Sequence, residues 1–63
     1  MKYRVDDYVR TKYGMGQIKK IWPLNDIITV FEVQLFLGGN IKTLYYGDIY
    51  ENIKLEELIQ YAR

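Results

Sequence analysis

"VDDYVRTKYGMGQIKKI", residues 5–21, decides how the rest of the chain is read. Asp6-Asp7 is a turn signal, because Asp tolerates a positive φ and hydrogen-bonds its own backbone. Val9 and Thr11 then alternate with Arg10 and Lys12, the pattern of a strand with one buried face. A second turn is expected at Tyr13–Gly16, where Gly14 supplies an unusual backbone angle and Gly16 lets two strands approach closely. In the strand that follows, Ile18 and Ile21 stand three residues apart. A strict period of two fails between them, so a bulge or sharp coil is implied. Pro23 ends this strand because it has no N–H for a ladder.

Working outward, residues 23–27, "PLNDI", read as a loop. Residues 27–37 form the strongest strand pattern, with Phe31, Val33 and Leu35 on one face and Glu32 and Gln34 on the other. Gly38-Gly39-Asn40 is a hairpin signal, since glycine reaches the left-handed angles that tight hairpins need. Residues 41–46 make the return strand. The stretch "GDIYENI", 47–53, then breaks through a helical turn into a last short strand near Asn52–Lys54. Leu55, Leu58 and Ile59 follow at helical spacing, with Glu56 and Glu57 in the favourable first turn. The expectation is a mostly β fold of five short strands with a short C-terminal helix. Such a bent sheet protects its edges best by closing into a partly open barrel.

The 63 residues allow a single domain over 1–63, with strands within about 3–54 and the helix at about 55–62. With no cysteine and no histidine, the chain lacks a disulfide framework, the commonest metal ligand and the commonest general base. The first residues are charged and carry no signal-peptide pattern. The longest apolar-rich run, "IITVFEVQLFL", is broken by Glu32 and Gln34 and is too short to span a bilayer. A soluble, cytoplasmic protein without a membrane partner is the expectation. Net charge is +1, unevenly spread: residues 1–22 hold six basic side chains against two acids (+4), and residues 23–63 hold three against six (−3). A polar molecule results if the basic half forms one face.

The opening stretch resembles the start of SH3-like, Tudor/KOW-type small barrels, which commonly read V-G-D-x-V-x-x-x-x-G-x-G-x-V-x-x-I. It is most similar to two families, the N-terminal domain of the CarD-type transcription regulators and the C-terminal Tudor domain of UvrD/PcrA-type helicases. In the helicase family the likeness continues through "FEVQLFLGGNIKTL", residues 31–44, so that most of residues 5–46 is covered. Asp6 stands where those families usually carry glycine. The resemblance implies an SH3-like, five-stranded partly open barrel that contacts RNA polymerase, in part by main-chain pairing at an exposed strand edge. Other Tudor and KOW barrels bind methylated side chains, RNA or ribosomal surfaces, and a shared barrel does not choose among these uses.

Candidate sites follow from residue chemistry. Gly14 and Gly16 do not make a phosphate loop, which needs G-x-x-x-x-G-K-[ST] or a third glycine opening into a helix. Arg10, Lys12, Lys19 and Lys20 around Tyr13 combine charge with a stacking ring, as single-stranded DNA and RNA binders do. The rings Tyr8, Tyr13, Trp22, Phe36, Tyr45, Tyr46 and Tyr50 invite a methyl-lysine cage, although most must complete so small a core. Phe36 with one of Tyr45 and Tyr46 would form an apolar docking patch. Asp6-Asp7 and Glu56-Glu57 diverge as sequence neighbours, and no nucleophile or base accompanies Asp48 and Glu51. The leading expectation is therefore a non-catalytic module without cofactor, metal or small-molecule substrate. It docks on another protein of the transcription or DNA-repair machinery, using Arg10, Lys12, Tyr13, Lys19, Phe36 and Tyr46. The alternative is a nucleic-acid binder using the basic strand of residues 10–20. A third is a phage-type accessory protein that works as a homo-oligomer.

Overall fold

The computed structural model describes residues 2–62, with side chains to residue 60. The elements run β1 (Tyr8–Thr11), β2 (Gly14–Pro23), β3 (Thr29–Leu35), β4 (Ile41–Tyr45), a 3-10 turn (Tyr46–Asp48), β5 (Ile49–Asn52) and α1 (Leu55–Ala62). They form one antiparallel sheet in the order β4-β3-β2-β1-β5. The outermost strands β4 and β5 are joined by the 3-10 turn alone. A flat sheet would hold them about 19 Å apart, whereas the four-residue step from Tyr45 to Ile49 spans at most about 14 Å. The sheet must therefore curl strongly. No ladder joins β4 to β5 among the described residues, so it curls without closing.

The long strand β2 makes this curl possible. Its first residues, Gly14–Gln17, pair with β1, while Gly16–Pro23 pair with β3. Between Ile18↔Val33 and Lys20↔Glu32 the register slips by one, leaving Lys19 as the extra residue of a bulge. A bulge restores the inward direction on both sides of itself. Ile18 and Ile21 can then face the same core despite their odd spacing, as the sequence implies.

Tyr3, Val9, Ile18, Phe31, Val33, Leu35, Leu44 and Ile49 make up the core, with Ile21 packed against it. The N-terminal segment closes one end. The ring of Tyr3 meets Phe31 edge-on at 6.0 Å and Tyr46 at 5.5 Å, and its hydroxyl donates to the Ile49 carbonyl at 3.4 Å. Asp6, at φ 76°, makes the expected turn, which ties the segment to β2 through Asp6 N–H to Ile18 C=O at 2.8 Å and Ile18 N–H to Asp7 C=O at 2.9 Å. The second turn forms one step earlier than expected. Thr11 Oγ1 donates to the Gly14 carbonyl at 2.7 Å and accepts from Tyr13 N–H at 3.0 Å. The corner is thus Lys12-Tyr13, and both glycines already lie in β2.

Three more boundaries differ from the sequence reading. The strongest strand is Thr29–Leu35 rather than residues 27–37. Asn25 Oδ1 accepts from both Ile27 N–H (2.8 Å) and Ile28 N–H (2.9 Å), which holds those residues in the loop. At the other end, Phe36 begins the turn in which Gly38 and Gly39 take φ of 82° and 68°. Tyr46 leaves β4 because its neighbour Tyr45 donates its N–H to Asp48 Oδ2 at 3.0 Å, starting the 3-10 turn. The last strand is Ile49–Asn52, three residues earlier than expected.

Candidate functional site

The hydrogen-bond phase of β4 follows from one contact. Leu35 N–H donates to the Asn40 carbonyl at 2.8 Å, and the register pairs Gln34 with Ile41 and Val33 with Lys42. Antiparallel ladders alternate, so Lys42 and Leu44 turn their backbone groups toward β3. Ile41, Thr43 and Tyr45 turn theirs outward. Asp48 occupies the outward N–H of Tyr45. The outward groups of Ile41 and Thr43 face solvent, and both residues are exposed.

The two sheet edges are not equivalent. β5 is four residues long and bulged at Tyr50, since Arg10 pairs with Glu51 and Thr11 with Ile49. Bulges and short length are the usual protection of an edge strand. β4 is straight in register over five residues and carries one charge, Lys42. It is the better template for an added strand.

An apolar groove opens at the end of β4. Ile27, Ile28, Thr29, Tyr45, Tyr46 and Gly47 line a cleft of about 350 Å³. Ile27 is 92% exposed at its rim. The Asn25 side chain holds this loop, helped by Leu24 N–H to Ile28 C=O at 2.8 Å. Ile27, Ile28, Tyr45 and Tyr46 are all exposed and together make an apolar patch here. Asn25→Ala is expected to lower stability by about 1 kcal/mol, the scale of lost side-chain hydrogen bonds. Amide hydrogen exchange at Ile27 and Ile28 should quicken while the β3 amides stay protected.

A second cluster lies at the opposite end of β4. The ring of Tyr13 has the Lys42 ammonium 5.0 Å from its centroid and that of Lys12 at 5.4 Å. Beside it, Arg10, Tyr13, Gly14, Met15, Leu35 and Leu37 line a cleft of about 260 Å³. The basic half of the sequence meets acids from the other half here. Arg10 pairs with Glu51 at 3.3 Å and Glu57 at 3.2 Å, and Lys12 reaches Asp48 at 3.8 Å. These exposed pairs add little stability, but they match two of the six basic side chains of residues 1–22 with acids of the other half.

The candidate residues therefore separate. Arg10, Lys12 and Tyr13 gather at the β1–β2 corner. Lys19 sits on the β2 bulge, where its ammonium donates to Gln17 Oε1 at 3.0 Å. Phe36 packs its ring on Tyr8, with centroids 5.8 Å apart, whereas Tyr46 packs on Tyr3 and Phe31. The patch expected from Phe36 with a tyrosine thus gives way to one built from Ile27, Ile28, Tyr45 and Tyr46. Lys42 and Ile27 are the residues that sequence reasoning missed. The Asn25 turn signal lay in plain view for Ile27, but nothing local marks Lys42. Among the described residues no group of three acidic, His or Cys side chains could hold a metal ion. No helix there is long and apolar enough to cross a membrane.

Fold and site together define a small antiparallel β-domain whose one unprotected edge strand runs between an apolar groove and a basic-aromatic corner. No family model matches the chain, and no curated protein or solved structure matches it either.

Proposed function

We propose that the chain is a non-catalytic, SH3-like partly open barrel that docks on another protein by accepting a strand at β4. On this reading its partner belongs to the transcription or DNA-repair machinery, with the RNA polymerase β subunit as the first candidate. The observation that carries the reading is the free edge at Ile41 and Thr43, bordered by the groove of Ile27, Ile28, Tyr45 and Tyr46. Backbone groups at such an edge supply affinity, and a neighbouring pocket supplies selectivity. The strand order supports the barrel: a β1–β4 meander is followed by a 3-10 turn and a β5 that returns beside β1. The CarD and helicase resemblance of residues 5–46 suggests the partner.

An NMR titration with a polymerase β fragment tests it. The amides of Ile41 and Thr43 should shift and become protected from exchange, together with shifts at Ile27 and Ile28. The response should change little between low and high salt, because main-chain pairing releases few counterions. A silent titration removes the polymerase as partner, and shifts confined to other surfaces remove β4 as the docking edge.

One observation favours a nucleic-acid reading: the Tyr13 ring, flanked by two ammonium groups, resembles a stacking platform beside phosphate ligands. The carboxylates on Arg10 and Lys12 weigh against it. Single-stranded DNA or RNA should then shift Tyr13 and lose affinity steeply with salt. Absence of any shift at low salt rejects this reading.

A further inference from the structure

We propose that the segment accepted by β4 is an extended strand of another protein with an acidic residue opposite Lys42 and a large apolar residue four positions earlier. This inference rests on the docking reading and adds the chemistry of the partner.

The phase of the edge sets where partner side chains fall. A strand added antiparallel to β4 hydrogen-bonds to Ile41 and Thr43, so its residues opposite Lys42 and Leu44 occupy non-hydrogen-bonded positions. Side chains come closest at such positions, with Cα atoms about 4.5 Å apart. A partner residue four positions before the one opposite Lys42 lies just past the paired stretch, level with Tyr46 at the start of the 3-10 turn. The incoming segment thus meets the Lys42 ammonium at one end and, past the paired stretch, the Tyr45–Tyr46 groove at the other.

Charge complementarity selects the residue at the first end. Around the β1–β2 corner, Arg10 already has two carboxylates and Lys12 has one. Lys42 forms no ion pair among the described residues and rests against the Tyr13 ring. It is therefore the cation near the edge that an incoming carboxylate can satisfy without displacing an acid of the chain itself. A basic residue there would be repelled by Lys42 and by Lys12 beyond it. At the other end, exposed Ile27 and the two tyrosine rings favour an aliphatic or aromatic side chain. Asp48, which holds Tyr45 N–H, ends the pairing there and leaves the partner free to lean into the groove.

The probe is a library of random linear dodecapeptides displayed on phage and panned against the intact chain. Enriched peptides should carry an apolar residue four positions before an Asp or Glu, and should protect the Ile41 and Thr43 amides. Lys42→Glu should weaken them by about tenfold, the loss of an exposed pair plus repulsion. It should also strengthen the same peptides with Lys in place of the acid. Lys42 is exposed, so the variant keeps the fold, and its amide spectrum verifies this. Peptides that protect Ile41 and Thr43 but show no acid preference, or ignore Lys42→Glu, overturn this inference and leave edge docking intact. If no enriched peptide protects those amides, edge docking at β4 fails as well.

Discussion

Gly16→Ala is expected to destabilise the domain by about 3 kcal/mol, the upper range of overpacking, because this glycine is the one whose added methyl group would meet backbone under 3 Å away. A Cβ at this position would sit 2.5 Å from the Gln34 carbonyl oxygen and 2.8 Å from Val33 Cγ1. Val33 is a fully buried β-branched side chain with little freedom to rotate, and the carbonyl belongs to β3, which is held on its other side by β4. Relief requires β2 and β3 to separate where β2 also pairs with β1 through Val9↔Gly16. The lower backbone entropy of unfolded Ala returns only about 0.4–1 kcal/mol. A domain of this size has roughly 3–9 kcal/mol of total stability, so a large part of its margin disappears. Two other glycines separate this mechanism from simple loss of glycine. Gly14 has open space around it but φ of 118°, so Gly14→Ala strains the backbone alone and should cost about 1–2 kcal/mol. Gly47 has neither restriction, and Gly47→Ala should stay within about 0.5 kcal/mol of the parent. Urea unfolding midpoints should therefore fall in the order Gly47→Ala, Gly14→Ala, Gly16→Ala. Equal midpoints for the first and last would remove the close approach of β2 and β3 as the reason for Gly16.

The same glycines show what kind of information a short sequence carries. Features that act within one or two neighbouring strands were legible. The three-residue step from Ile18 to Ile21 implied a bulge or a sharp coil, because an odd spacing of core residues breaks the period of two, and the structure has a bulge at Lys19. Gly14 and Gly16 were separable as an angle and a contact. Gly38-Gly39 marked the hairpin, and the Leu55, Leu58, Ile59 spacing marked α1. Boundaries failed where a side chain captured backbone groups. Asn25 took the N–H groups of Ile27 and Ile28, and Asp48 took that of Tyr45, each shortening a strand whose apolar pattern ran on.

The candidate site was less legible because it depends on the curl. Arg10 and Lys12 looked like a basic surface while Glu51, Glu57 and Asp48 were distant in sequence. Folding brings those acids alongside, so Arg10 and Lys12 are paired with acids of the other half of the chain. Lys42 meets Tyr13 for the same reason, across 29 residues of chain. Phe36 and one of Tyr45 and Tyr46 were assigned to one patch by alternation along two strands, but Phe36 and Tyr46 both lie beyond the ends of those strands. Edge exposure is a property of strand order, and no local pattern in residues 41–45 distinguishes an edge strand from a central one.

Thr43→Pro should reduce binding of a β4 ligand more than tenfold while leaving the domain folded. Thr43 points its N–H away from β3, so proline there removes no bond of the β3–β4 ladder. Its ring fixes φ near −65° and restricts Lys42 to extended conformations, which Lys42 already adopts in the strand. The stability change should stay below about 1 kcal/mol, as for other exposed sites without a special role. An incoming strand, however, loses the central N–H of the edge and meets the pyrrolidine ring in its place. Its own carbonyl is left unsatisfied, which costs about 1–3 kcal/mol. Lys42→Pro is the reciprocal case. Lys42 N–H faces Val33 in the ladder, so that substitution breaks an internal bond and should destabilise the fold by a similar amount. The contrast between adjacent positions is what edge pairing requires. A surface that docked through side chains alone would respond to Thr43→Pro only weakly, and equal binding by parent and variant would exclude β4 as the strand that accepts a partner.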